Sequence, residues 1–371
     1  MLSWFRRYLL PGFVLQSIII AGGYGTGREL VEFFLQYGPV GGLLGMLLPT
    51  TVLMSVTCML AFELARVTRS YDYRSFIKHL LGPAWFLYEL GYLTAVLLIL
   101  AVIGSAAGTF LSETFALPSG VGTLGLLLAI GFLVFKGTEV IEGALSVWSF
   151  VLYGVYAAFL ILGLAKFGPD IASNLRSGIA EDGWFLSGMR YGALQVSLVP
   201  AMLFATTYIG ARREAFVAGA LAGPIAIIPG ILFFVVMLGQ YPAILERPVP
   251  ANYLLELLGS RSFQIVFQIA LFGTLIETGS GLIHAFNERI AGVYGMHTST
   301  MPRFLRPAIA VMLLVAGWLL SRFGLVDLIA KGYGTMTWVF MAIFVVPLLT
   351  VGVRVILVHG NRRTVGDTEM S

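Results

Sequence analysis

Ala21-Gly22-Gly23-Tyr24-Gly25-Thr26-Gly27, followed directly by Arg28-Glu29, sits in the middle of an apolar run from about residue 9 to 37. Four of the six residues from 22 to 27 are glycine, and each glycine in a helix interior costs about 1 kcal/mol relative to alanine. A helix running through this stretch is expected to break there. Glycines also serve close helix packing, but Tyr24 among them and the ionic pair behind them favour a break. Unwound backbone is tolerated at membrane depth only where it is buried in protein or lines a cavity. The stretch therefore marks a site, provided the chain spans a membrane.

Composition supplies that condition. Of 371 residues, 58% are hydrophobic and 11% charged, with a mean hydropathy of +0.90, against about 25% charged in a soluble domain. Runs of about 20 apolar residues, enough to cross a bilayer core, recur at 9–37, 39–66, 83–111, 120–136, 143–166, 187–222, 223–241, 261–292, 304–322 and 333–357. The expectation is an all-α integral membrane protein of ten spans forming a single transmembrane domain, with a disordered cytoplasmic tail at 359–371. Continuous rather than alternating runs exclude a membrane β-barrel. A net charge of +4 on so apolar a chain makes no nucleic-acid surface. The lone Cys58 excludes a disulfide framework or a cysteine metal cluster, and no cleavage site follows the first apolar run. Of the 23 Lys and Arg, 15 (Arg6, Arg7, Arg66 and Arg213 among them) fall on one side and eight on the other, which places both termini in the cytoplasm.

Shifting the chain by 185 residues lays Gly25-Thr-Gly-Arg28-Glu29 on Gly210-Ala-Arg-Arg213-Glu214 and Gly38-Pro39 on Gly223-Pro224, five identities in 15 positions. Read as an internal repeat, this divides the chain into halves at about 9–167 and 187–358; the alternative is that Gly-Pro marks two similar helix junctions. An odd number of spans per half inverts the second copy, the architecture of carriers that expose one midplane site to alternate sides. The first span then corresponds to the sixth, where Pro200 removes a backbone hydrogen bond. Thr206, Thr207 and Tyr208 beside it supply hydroxyls for a solute or for the broken helix itself. The freed amides of residues 23 to 28 suit a carboxylate. The expected solute contacts are Gly22, Gly23, Tyr24, Gly25, Thr26, Gly27, Thr206, Thr207 and Tyr208. Arg28, Glu29, Arg213 and Glu214 read as gate pairs, one per side, or as snorkelling helix ends, with Glu32 one turn beyond Arg28 as its partner.

The eighth span holds Thr274, Glu277, Thr278, Ser280, His284 and Glu288. Glu277, nearest the bilayer centre, reads as a proton-coupling carboxylate or as a structural strut. No HExxH occurs, and Asp72, Asp170, Asp182, Asp327 and Asp367 all lie outside or at the ends of spans. An intramembrane enzyme is disfavoured on that ground, and a channel for small solutes or ions is the main alternative to a carrier.

The runs at 21–29, 38–42 and 276–288 (Ile-Glu-Thr-Gly-Ser-Gly-Leu-Ile-His-Ala-Phe-Asn-Glu) resemble the YkvI-type bacterial membrane proteins, placed among the APC-superfamily, LeuT-like transporters. The resemblance implies a 5+5 inverted repeat of ten transmembrane helices with helices 1 and 6 broken. It implies a solute site walled by helices 3 and 8, coupling to Na⁺ or H⁺, and a bacterial inner-membrane location. By position it adds Tyr92, Thr94, Tyr333 and Thr335 to the pocket. Sodium-coupled relatives set adjacent hydroxyl residues of helix 8 against carbonyls of helix 1. Here Thr278 and Ser280 are two apart and diverge by about 200° on a helix, so Thr274 with Thr278, near Gly22, is the better-spaced Na⁺ pair. The function expected is ion-coupled secondary transport of a small polar or zwitterionic solute, an amino acid by analogy. No other cofactor, resident metal or nucleic-acid partner is expected.

Overall fold

The computed structural model describes residues 2–20, 24–136, 138–297, 302 and 304–358, and every regular element among them is helical. The first predicted span is interrupted: α1 (Leu2–Tyr8) leads into α2 (Leu10–Ile19) and, past the interruption, comes α3 (Arg28–Phe33). The second is α4 (Pro39–Gly45) continued through a π turn at Met46–Thr50 into α5 (Thr51–Thr68). Pro49 in that turn cannot donate to the carbonyl four residues back; the Thr50 hydroxyl donates to Gly45 O instead, at 2.8 Å, and Thr51 donates to Met46 O at 2.7 Å. Hydroxyls thus replace the lost backbone bonds, and the rod continues.

After the short amphipathic α6 (Tyr73–Leu81) come α7 (Trp85–Phe115), α8 (Ser119–Lys136) and α9 (Thr138–Arg176). The second half opens with α10 (Trp184–Val196), which passes into a 3₁₀ segment, Val199–Thr206. Then follow α11 (Arg212–Leu238), α12 (Pro250–Leu258), α13 (Arg261–His297), α14 (Leu305–Ser321), α15 (Leu325–Asp327) and α16 (Gly334–Phe340). π turns join the last two and carry the rod to Val358. Six helical segments among the described residues are long and apolar enough to cross a membrane: 39–68, 73–115, 151–176, 212–238, 261–287 and 325–358. Their outward residues, such as Val52, Ile161 and Ile269, are large, apolar and exposed, as a lipid-facing surface requires.

Two expectations are corrected. The boundary between the sixth and seventh predicted spans falls at 207–211, not at 222–223, because Gly223 and Pro224 lie inside α11. The 185-residue alignment is therefore not the structural one: Gly25 stands in an interrupted rod, Gly210 in the turn before α11, and Gly38-Pro39 starts a helix while Gly223-Pro224 does not. The order of elements nevertheless recurs. A broken rod, two long rods, a short rod of 17 or 18 residues (α8, α14) and a final long rod appear twice. The rods that follow the broken one start 173 residues apart, at Pro39 and at Arg212.

Candidate functional site

The first interruption is shaped by Gly27, whose φ of +77° is open to glycine at little cost. An ideal Cβ there would stand 2.9 Å from Phe233 Cε1 and 3.1 Å from Pro250 Cβ. Thr26 ties the bend down on both sides: its hydroxyl accepts the Arg28 amide at 3.2 Å, and its carbonyl accepts the Ala251 amide from α12 at 3.0 Å. Restarting the helix at Arg28 sends consecutive side chains about 100° apart. Arg28 reaches Glu32 at 3.2 Å and the carbonyls of Leu245 and Arg247 at 3.0 and 3.3 Å. Glu29 turns inward and is 2% exposed.

The second interruption begins at Ser197, just past α10. The Ser197 hydroxyl donates back to Leu194 O at 2.5 Å, and the Tyr88 hydroxyl donates to Ser197 O. Gln195, in the last turn of α10, donates from Nε2 to Glu29 Oε2 at 3.4 Å. The two interruptions thus meet through one carboxylate and one amide.

A cavity of about 50 Å³ opens at this meeting point. Its polar lining is Glu29, Gln195, Ser197, Thr278 and Tyr333, and its apolar lining comes from α2 (Ile18, Ile19), α7 (Ala95, Leu98, Ile99), Leu194, Leu198, Leu282 and Met336. Among the described residues no Lys, Arg or His lines it. Tyr24 and Tyr191, stacked with ring centroids 6.5 Å apart, are fully buried, with the Tyr191 hydroxyl set against the Glu29 carboxyl group.

Several sequence-predicted residues lie elsewhere. Thr206, Thr207 and Tyr208 do not line the cavity: the first two donate to Leu203 O and Phe204 O, repairing their own 3₁₀ turns, while the exposed Tyr208 ring lies under Arg6. Tyr24, Gly25, Thr26 and Gly27 shape the first bend without lining the cavity, Gly25 facing Leu271 and Tyr156. The Gly27 amide donates to Tyr24 O and the Arg28 amide to Thr26 Oγ1, so these two are not free for an anion. Gly22 and Gly23, the side chain of Glu288 and the tail at 359–371 lie outside the described residues. Arg28 and Glu29 part company, and Arg213 and Glu214 do likewise: Arg213 is exposed, whereas Glu214 accepts the Gly210 amide at 2.8 Å and pairs with Arg7 at 2.8 Å. Tyr333 lines the cavity; Tyr92 packs on Tyr73 and Tyr88, and Thr94 and Thr335 are exposed.

On α13, the Thr274 hydroxyl donates to Ala270 O, Thr278 to Thr274 O and Ser280 to Glu277 O. Of the three only Thr278 lines the cavity. Glu277 is half-buried near Tyr153 of α9, whose hydroxyl donates to Gln16 Oε1 at 3.0 Å. An oxygen-only donor set at Thr274 and Thr278 fits Na⁺ in kind. The cavity residues that sequence reasoning missed are Gln195 and Ser197, together with the inward face of Glu29. The signal for Glu29 was its spacing from Arg28, since residues one apart do not share a helix face.

No protein-family model matches the chain. It is similar to the uncharacterized membrane protein YkvI of Bacillus subtilis (strain 168), 23% identical over 281 residues, covering 75% of this chain and 79% of the relative. Among solved structures it resembles a manganese transporter of Eremococcus coleocola (TM-score 0.57, 16% identity, 94% of this chain and 78% of that one). It also resembles MhsT in complex with L-phenylalanine (TM-score 0.53, 18% identity, 94% and 97%). A Na⁺-coupled sialic acid symporter in a substrate-bound, outward-open state matches too (TM-score 0.53, 13% identity, 92% and 84%). At these identities the likeness shows the fold, the LeuT-like architecture expected from the sequence.

Proposed function

We propose that this chain is a secondary active transporter that carries a small polar solute by alternating access. The observation that carries the reading is the cavity where the two helix interruptions meet, with one buried carboxylate in its wall. Interrupted helices at such a site are how carriers bind a solute within a membrane. A volume of about 50 Å³ suits a small solute held between the two interruptions. The basic face carrying α1 is assigned to the cytoplasm of a bacterial inner membrane, from the imbalance of Lys and Arg.

Coupling is to Na⁺ or H⁺. Thr274 and Thr278 would hold Na⁺ through hydroxyl oxygens, and the resemblance to a Na⁺-coupled symporter favours that ion. Glu277 offers the proton alternative, as a carboxylate within the membrane with no ion pair among the described residues. The test is uptake into proteoliposomes under an imposed Na⁺ or H⁺ gradient. Saturable, gradient-driven accumulation supports the carrier, and flux without saturation or gradient dependence supports a channel. Loss of uptake in Glu277→Gln but not in Thr274→Ala assigns protons; the reverse assigns sodium.

A further inference from the structure

We infer that the central cavity takes a small solute with a positively charged amino group, and that the Glu29 carboxylate is its counter-charge. The inference rests on the transport reading and deepens it. A carboxylate inside a membrane protein is costly unless a cation or a set of donors meets it. Glu29 is 2% exposed and lines the cavity; the described groups that meet it are neutral, Gln195 Nε2 at 3.4 Å and the Tyr191 hydroxyl. The adjacent guanidinium is unavailable to it, being held by Glu32 and by the carbonyls of Leu245 and Arg247. Since no Lys, Arg or His among the described residues lines the cavity, a cationic guest is the positive partner left to this carboxylate.

The rest of the lining points the same way. Each hydroxyl has one proton to give, and the wall's hydroxyls have spent theirs: Ser197 on Leu194 O at 2.5 Å and Thr278 on Thr274 O at 2.9 Å. What they retain is acceptor capacity. Among the described side chains that line the cavity, the Tyr333 hydroxyl and the second amide proton of Gln195 are the donors left for a guest. An anion needs donors from the protein, whereas an ammonium brings three of its own. Such a guest differs from the carboxylate expected on the amides of residues 23 to 28. The aliphatic remainder, with Ala95, Leu98 and Leu282, suits a short alkyl body, and about 50 Å³ accommodates only a few heavy atoms on the scale of roughly 10–15 Å³ per water-sized sphere.

The test uses the purified full chain in lipid nanodiscs, with calorimetry and thermal shift against methylammonium and n-propylammonium chloride, and with sodium chloride, sodium acetate and glycine at equal ionic strength. The expected result is saturable alkylammonium binding that weakens at least tenfold in Glu29→Gln. Ala95→Val, which narrows the cavity and leaves the carboxylate in place, weakens it as well and keeps the inference testable should the first variant not fold. Propylammonium binding to Glu29→Gln as tightly as to the native chain overturns the inference. So does binding of acetate or glycine without alkylammonium, or a Glu29-dependent shift produced by Na⁺ alone. Uptake of labelled methylammonium into proteoliposomes separates the two claims. Binding without uptake sinks the transport reading and leaves the site; uptake of another solute, indifferent to Glu29→Gln and to excess alkylammonium, sinks the site and leaves transport.

Discussion

Arg28 and Glu29 are chain neighbours with opposite duties, and the residue that separates their environments from the preceding helix is Gly27. Its left-handed backbone costs an L-residue about 1–2 kcal/mol, and a Cβ there would press on the Phe233 ring at 2.9 Å. Gly27→Ala is therefore expected to lower the thermal midpoint by several degrees, read by intrinsic fluorescence of the purified protein. Gly120→Ala, where a Cβ meets nothing within 4 Å, serves as the control and leaves the midpoint unchanged or slightly higher. Equal effects of the two changes would show that the bend at Gly27 carries no strain. At this scale the break was legible, because glycine density speaks for itself, and so was the Arg28–Glu32 pair, which follows from helical spacing. The inward role of Glu29 was not, since it depends on Gln195 and Tyr191, more than 160 positions along the chain.

Helix contacts are decided by surfaces that only the fold brings together, and α11 shows this best. Gly219 and Gly223 lie four apart on α11 and press onto α5: a Cβ on Gly219 would be 2.3 Å from Met59 N, and one on Gly223 would be 2.6 Å from Thr51 O. Small residues that let two backbones approach are a recurrent membrane device, and this is why Gly223-Pro224 imitates a helix junction in the sequence without being one. Gly219→Val must push main chain away from main chain; overpacking of this kind costs about 1–3 kcal/mol, so it is expected to lower the melting temperature and the yield of monodisperse protein. Gly154→Val, whose Cβ would meet nothing within 4 Å, is expected to do neither, and size-exclusion profiles of the two variants distinguish the cases. The start of α6 makes a second element-scale prediction. Asp72 caps it by accepting the Ser75 amide at 2.9 Å. Partial burial opposes ionisation, but the Ser75 amide and hydroxyl outweigh it and hold the Asp72 carboxyl below the usual carboxylate range. The charged cap thus contributes fully above that range and is lost as pH falls through the depressed value. Asp72→Ala removes about 1 kcal/mol of local helix stability at neutral pH, and Asp72→Asn keeps a cap without the acid dependence. Hydrogen exchange at the Ser75 and Phe76 amides, followed against pH, reads both.

We propose that one arginine latch stands on each side of the cavity. α2 and α3 follow in succession, so Arg7 before them and Arg28 beyond the bend lie on opposite sides of the site, as do Glu214 in the first turn of α11 and Leu245 in the turn past its far end. Arg7–Glu214 at 2.8 Å joins α1 to α11 on one face; on the other, Arg28 joins α3 to the carbonyls of Leu245 and Arg247. Neither latch was legible as drawn, because the 185-residue alignment paired Arg28-Glu29 with Arg213-Glu214, whereas the partners come from α1 and from the segment before α12. A ligand or mutation shifts such an equilibrium only by its differential stabilisation of the two states. The half-exposed Arg7–Glu214 pair is worth up to about 1 kcal/mol, roughly a fivefold change in population. In a Cys58→Ser background, Ala95→Cys reports on the cavity through its rate of modification by a membrane-impermeant thiol reagent applied to one face of sealed vesicles. Adding Arg7→Ala is expected to raise that rate severalfold from the face of α1 and not from the other. Arg28→Ala, which removes the donor to two carbonyls and the partner of Glu32 together, acts from the opposite face and more strongly. Rates that rise from both faces together in either variant describe a pore, and rates indifferent to both variants mean that these ion pairs do not hold the site shut.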